Sequence, residues 1–385
     1  MAEYLKIENF GPILEIELDD IRPLTVFIGE SGSGKSTIMK VLSLFRWMFK
    51  RVNLRSFIKL SGIRKTKLGF KTIPLLKTSG LLEYLREESR IVYRNGRYEI
   101  VMEHRKTKVN VQIMDAADLS LEKICFISDK RSIIPDLLSS SVDRHKDNFF
   151  LQDTLENFRT AVKSVTEMPL MFLGVDLKVE KSKSAGTQYR ILGQGDDGAY
   201  SIHLRNASSG MQTATPIGVI LQYYATKYNL EDSLNSALLK YFTDNDDLKN
   251  FRAGMNVSEF PHRRVHIFIE EPELSLYPDN QTELVDFLIE KCFGTNHNYT
   301  MTLMMASHSP YIVNYLNLLM ARNGHEAADG PAISPDDVNV YLVECGTLTR
   351  LNMTSDGRPI INTRILSDPI AEIYARYNRL SSDNG

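Results

Sequence analysis

Residues 29 to 36 read Gly29-Glu30-Ser31-Gly32-Ser33-Gly34-Lys35-Ser36, the full G-x-x-x-x-G-K-S spacing, and they follow the apolar run Leu24–Ile28. Residues 37–42, Thr-Ile-Met-Lys-Val-Leu, then read as a helix opening. Strand, glycine-rich turn and helix in this order predict an α/β protein with a nucleotide at the turn. Small residues let successive backbone N–H groups turn onto phosphate oxygens, and the helix adds the positive end of its dipole. In such a loop Lys35 reaches the β- and γ-phosphates, while the Ser36 hydroxyl takes one position on Mg²⁺. The stretch from Gly29 through Thr37 is therefore the first candidate binding segment, the alternative being a glycine-rich turn with no ligand.

The 385 residues could form two average domains or one large α/β unit. With 46 basic against 48 acidic residues and 43% hydrophobic content, the composition is that of a soluble globular protein, and it neither demands nor excludes nucleic acid. Cys125, Cys292 and Cys345 are isolated, without C-x-x-C or a zinc-like histidine spacing, so they are expected to be buried small hydrophobes in a reducing cytoplasm. No disulfide, structural metal, secretory leader or membrane-spanning run is expected.

Residues 5–7 and 14–18 are strand candidates around the Gly11-Pro12 turn, and Asn95-Gly96 marks a hairpin within residues 90–113. Further strands are expected at 172–179, 189–192 and 200–204, followed by a helical region over 216–251. Past Arg264 strand and helix alternate to residue 320, which points to a parallel sheet.

Three more segments carry chemistry. Val265-His266-Ile267-Phe268-Ile269 reads as a buried strand ending in Glu270-Glu271-Pro272. Two adjacent carboxylates there call for a cationic partner, with Glu270 assisting the metal and Glu271 acting on the attacking water as general base. An ordinary strand ending in solvated acids is the alternative. A second apolar strand over 300–306 ends in Ser307-His308-Ser309-Pro310, which puts His308 where parallel sheets bind ligands, either as a γ-phosphate sensor or as a capping or packing residue. Finally, Asn206-Ala207-Ser208-Ser209-Gly210-Met211-Gln212 precedes a helix expected from about Thr213, suiting either an anion or a plain helix cap.

Together these segments resemble the ABC-type ATPase head shared by SMC and RecF proteins. They are most similar to prokaryotic AAA-type ATPases related to OLD nucleases, including those of Septu-like, PARIS-like and retron-associated antiphage systems. Residues 5–12 resemble the family's opening strand and turn, residues 29–36 its Walker A and residues 267–271 its Walker B. Ser208, Ser209, Gly210 and Gln212 resemble its signature loop, residues 271–274 its D-loop, and His308 its switch histidine. Glu270 stands where most ABC ATPases have Asp. Residues 126–132, Phe-Ile-Ser-Asp-Lys-Arg-Ser, take the place of the Q-loop, with Arg131 either its substitute or a buried structural ion pair.

The resemblance implies one ABC-type P-loop NTPase head over 1–385, α/β with a mixed and antiparallel β lobe and a helical signature-bearing lobe. Its expected parts are 1–125, 126–260 and 261–385. It implies ATP and Mg²⁺ as cofactors, and Lys35, Glu271 and His308 as catalytic residues. It further implies Ser36 and Glu270 at the metal and a head-to-tail homodimer with ATP between Walker A and the partner's Ser209-Gly210. Residues 40–77 carry Lys40, Arg46, Lys50, Arg51, Arg55, Lys59 and further cations with no acid, suiting a nucleic-acid contact or an amphipathic helix with a solvated basic face. After His308 only a strand at 338–343 and a final helix opening at Ser367-Asp368-Pro369 are expected, without a nuclease motif. The expectation is thus a cytoplasmic ATPase controlling a separate nuclease or toxin effector in antiphage defence, with a RecF-like DNA-repair ATPase as the alternative.

Overall fold

The computed structural model describes residues 3–63, 66–110, 113–139, 149–182, 186–195, 198–244, 260–295, 298–325, 329–355 and 357–382. Within it a six-stranded sheet carries the P-loop, built from β3 (Leu24–Ile28), β7 (Ser120–Ile127), β12 (His262–Glu270), β13 (Thr300–Ser307), β14 (Val338–Glu344) and β15 (Thr347–Arg350). Their order is β15-β14-β3-β13-β12-β7, parallel except for the edge strand β15. All five residues of β3 are buried, as expected of a parallel strand between two others.

Helix α1 (Lys35–Leu60) leaves the P-loop and packs across β7, β12 and β13. Its side chains Ile38, Leu42, Phe45 and Phe49 lie in the core. Short helices α2 (Thr72–Thr78) and α3 (Ile134–Ser139) follow in the chain, and α4 (Phe149–Ala161) covers β7, with Phe126 of β7 between Phe150 and Phe268. On the far side of the sequence, α7 (Pro278–Ile289) joins β12 to β13, and α8 (Pro310–Arg322), which packs on α7, leads from β13 towards β14.

The antiparallel lobe is a five-stranded sheet in the order β2-β1-β4-β5-β6, from β1 (Glu3–Phe10), β2 (Ile13–Leu18), β4 (Leu85–Asn95), β5 (Tyr98–Glu103) and β6 (Lys106–Val109). It meets the central sheet where Leu14 and Glu15 donate to the Gly346 carbonyl. A buried pair also ties it down: Arg46 of α1 donates to both oxygens of Glu3, 2.8 and 2.7 Å away, and Tyr93 adds a third bond to that carboxylate.

A second antiparallel sheet, β11-β10-β9-β8, comprises β8 (Glu167–Leu170), β9 (Val175–Ser182), β10 (Gly186–Gly195) and β11 (Gly198–His203). It leads into α5 (Ser209–Thr226) and α6 (Leu230–Asp244). The chain closes with the hairpin β16 (Asn352–Ser355) and β17 (Arg358–Ile361) and helix α9 (Arg364–Ser382).

Several expectations are corrected here. The helical region expected over 216–251 begins earlier, at Ser209, and is interrupted between α5 and α6, where the Asn229 side chain accepts the backbone N–H groups of Glu231 and Asp232. Residues 245–259 lie outside the described residues. Residues 171–173 form a 3-10 turn, so the strand expected from 172 starts at Val175. The final helix starts at Arg364, ahead of Ser367. Cys125 and Cys292 are buried as expected, but Cys345 is exposed at the β14–β15 turn with φ +48°.

Candidate functional site

Strand register brings the motifs to one edge. Ile28 pairs with Ser307, Glu270 with Ala306, and Ile269 with Ile127, so the P-loop, the acid pair, His308 and residues 128–131 all leave the sheet at its C-terminal end. Ligands of parallel sheets bind there.

The P-loop closes around its lysine. Lys35 is 5% exposed, and its Nζ donates to the carbonyls of Gly29 and Glu30 at 2.8 and 2.7 Å, which holds the ammonium across the loop. Burial pulls its pKa below the usual lysine range, opposed by the charges of Glu271 and Glu273. Gly29 has φ +149°, and a Cβ there would lie 2.3 Å from the Val343 carbonyl oxygen, so neighbouring β14 leaves room only for glycine. The helix starts at Lys35, two residues before the expected opening, and Thr37 is buried in its first turn.

At the end of β12 the two acids separate. Glu270 is 1% exposed and points inward, with Oε1 2.9 Å from Lys40 Nζ and Ser36 within hydrogen-bonding reach. Burial raises its pKa, partly offset by Lys40. Asp129 lies beside it, its backbone N–H 3.4 Å from Glu270 Oε2. Burial would raise the Asp129 carboxyl too, but the Ser128 hydroxyl and the charge of Lys40 hold it below the usual range. Two carboxylates and a hydroxyl thus meet at the foot of the P-loop, a hard-oxygen donor set of the kind Mg²⁺ takes. No sequence signal singles out Asp129, because its place depends on β7 ending beside β12.

Glu271 points the other way and is half-exposed, with His308 Nε2 3.6 Å from its Oε1. Its φ is +44°, an uncommon value for a residue with a side chain. The His308 backbone N–H donates to Glu273 Oε1 at 2.5 Å, so Glu273 sets the start of the histidine turn. Capping of α8 falls to Ser309, whose hydroxyl accepts from Tyr311 and Ile312, and this removes the capping alternative for His308.

Ser208 caps α5 by accepting from the Met211 N–H, and Ser208 and Ser209 are exposed at that helix start while Gly210 is buried. Gln212 turns its amide back onto the carbonyls of Arg205 and Ala207, which shapes the loop. Arg131 is fully buried. Among the described residues no carboxylate lies within ion-pair distance of it, so the ion-pair alternative gives way to bonds with backbone carbonyls.

Part of the basic segment is used internally. Lys40 pairs with Glu270, Arg46 with Glu3, and Arg51 lies over the Trp47 ring while donating to the Gly69 carbonyl. Burial, with the charge of Lys123, pulls Lys50 down to about 8. Lys40, Arg46 and Arg51 are thus engaged by the protein's own carboxylates, a carbonyl and a ring, while Lys67, Lys71 and Lys77 are exposed. Arg64 and Lys65 lie outside the described residues.

Residues 1–164 match the family model described as an AAA ATPase domain. The match spans β1 through α4, including the P-loop and Asp129; Glu270, Glu271 and His308 lie beyond it. Among solved structures the chain is similar to the SMC head domain from Thermotoga maritima, at 12% identity over 92% of this chain and 100% of that one, with a TM-score of 0.34. It is also similar to a nucleotide-free ATP-binding cassette from an ABC transporter, at 12% identity, 90% and 89% coverage and a TM-score of 0.34. A third likeness is to cbiO1 from Clostridium perfringens, part of the ABC transporter complex cbiONQ, at 13% identity, 99% and 98% coverage and a TM-score of 0.30. No curated protein matches. Among the described residues no helix is long and apolar enough to cross a membrane.

Proposed function

We propose that this chain binds ATP with Mg²⁺ and hydrolyses it as an ABC-type head. The observation that carries the reading is the inward Glu270, beside Ser36 and Asp129, back to back with the outward Glu271 that faces His308. Lys35 and the loop N–H groups would hold the phosphates, with Ser36, Glu270 and Asp129 holding Mg²⁺, which when bound neutralises charge on the transferring phosphoryl group. Glu271 would take the proton of the attacking water, and His308 would hold that carboxylate and meet the γ-phosphate. Phosphate release by the parent and by Glu271→Gln tests this reading; a parent without Mg²⁺-dependent release overturns it.

Exposed Ser208 and Ser209 at the α5 N-terminus support the head-to-tail dimer, in which they and Gly210 would meet a second copy's nucleotide. Size measured in solution with ATP, Mg²⁺ and Glu271→Gln checks it. A monomer under those conditions would contradict the dimer. The regulatory role rests on the motif resemblance: opening and closing of the paired heads would set the activity of a separate effector in antiphage defence. Affinity capture from phage-infected and uninfected cells tests it, the absence of a second protein in both being the adverse result. For the DNA-repair alternative, Lys40 and Arg46 are taken up by Glu270 and Glu3, which leaves the exposed Lys67, Lys71 and Lys77 as the candidate phosphate contacts.

A further inference from the structure

Arg131 is the largest side chain among the fully buried ones, and it lies on a 3-10 turn, Asp129–Ile133, directly behind the acid pair. Its guanidinium donates to four carbonyls on three separate segments: Ser128 at 3.2 Å, Thr213 at 2.9 Å, Glu270 at 2.6 Å and Glu271 at 2.5 Å. A full positive charge without a carboxylate partner is costly to bury, and a neutral side chain would fill the same volume at lower cost. The planar fork supplies what a neutral residue or a lysine cannot, several fixed donors at set angles. The nearby acids Glu273, Asp129, Glu271 and Glu270 offset part of a burial penalty that pulls the guanidinium down to about 10.

The carbonyls it holds are informative. Glu271 has a left-handed backbone, pinned on one side by its N–H to the Ala306 carbonyl at 2.8 Å and on the other by Arg131. Thr213 belongs to the first turns of α5, and its Oγ1 donates to the Leu274 carbonyl at 2.8 Å. Gly210, one turn earlier, sits so close to the same segment that a Cβ would lie 2.8 Å from the Ser275 carbonyl. The start of α5 and the segment 271–275 are thereby fastened at three points, with Arg131 the only one of the three that also reaches the Glu270 and Glu271 carbonyls.

We propose that Arg131 is a positioning residue that fixes the Glu271 carboxylate and ties it to the α5 N-terminus, so that a ligand met by Ser208 and Ser209 changes the placement of Glu271 in the same chain. The inference rests on the ATPase reading above. In a head-to-tail dimer the nucleotide met by α5 belongs to the second copy, and the clamp links one site's occupancy to the other site's chemistry.

The test compares steady-state phosphate release and binding of a fluorescent ATP analogue for the parent, Arg131→Lys, Thr213→Val and their combination. Arg131→Lys is expected to lower kcat about tenfold or more and Thr213→Val several-fold, with KM and analogue affinity held within about twofold. Because both serve one linkage, the combined variant should lose about as much as Arg131→Lys alone. An inactive parent overturns both the ATPase reading and this proposal. An active parent with a folded Arg131→Lys whose kcat stays within about twofold overturns the proposal alone, and so does a combined loss equal to the product of the single losses. If Arg131→Lys does not fold, Thr213→Val decides: parental kcat overturns the proposal, and a several-fold loss at unchanged analogue affinity supports it.

Discussion

Lys40 Nζ stands 2.9 Å from Glu270 Oε1, and that carboxylate is 1% exposed. The ammonium one helical turn beyond Ser36 therefore compensates a charge that would otherwise be stranded beneath the P-loop. Lys40→Met should cost about 3 kcal/mol by leaving the carboxylate unpaired. Over 385 residues this corresponds to a fall of about 4 °C in Tm. Mg²⁺ with nucleotide should raise the Tm of the variant by more than it raises that of the parent, since the metal would take over the compensation. Thermal unfolding with and without Mg²⁺ checks this, and equal shifts in the two proteins would speak against Glu270 as a metal-facing group.

Glu271→Gln keeps the size of the side chain and removes its basicity. Its kcat should drop by about 10²–10⁴, with ATP affinity preserved. Single-turnover phosphate release, read beside equilibrium binding, separates the two quantities. A variant as active as the parent would remove Glu271 from the chemistry.

Glu3 carries a pH dependence unrelated to the site. Burial alone would raise its pKa, but the charge and hydrogen bonds of Arg46 hold it down at about 2 against an ordinary 4.5. A depressed carboxyl stabilises the fold above its unfolded value and loses that contribution as pH falls through the folded one. The pair is thus worth about 3 kcal/mol at neutral pH, vanishing between pH 4.5 and about 2. Glu3→Gln should be clearly less stable than the parent at pH 7, and the gap should close on acidification. Denaturation midpoints measured across that range would show a constant gap if the ion pair were irrelevant.

Gly29→Ala places a Cβ against the Val343 carbonyl as well as in an unfavourable φ, whereas Gly32, at φ +81°, faces open space. The first change should cost about 3 kcal/mol and abolish nucleotide binding, the second about 1 kcal/mol. Isothermal titration with ATP and Mg²⁺ orders the two; equal losses would mean that the approach of β14 is immaterial.

Much of this arrangement was readable along the chain. The run Leu24–Ile28, the glycine spacing and the acid pair each announce a strand end with chemistry on it, because a buried parallel strand is apolar throughout and must stop where polar groups begin. The break between α5 and α6 also had a local signal, Asn229 followed by Glu231 and Asp232, which reads as a helix cap. What stayed hidden is set by contacts distant in sequence. Asp129 gains its place only because β7 is the parallel neighbour of β12, and Glu273 meets His308 across 35 residues. Two cations of α1, Arg46 and Lys40, read as part of an outward face until their partners, Glu3 before them and Glu270 far beyond, are brought alongside.

Among the described residues strand β3 pairs with β13 and β14, which begin only at Thr300 and Val338. A nascent chain emerging from the ribosome therefore displays the glycine loop long before either flanking strand exists. Until residue 307 has left the exit tunnel the loop has no sheet beneath it, and until Val343 follows it lacks its wall. Nucleotide capture thus waits until β14 has been made, and protein truncated ahead of β13 should be a client for chaperones and proteases rather than a partial ATP trap.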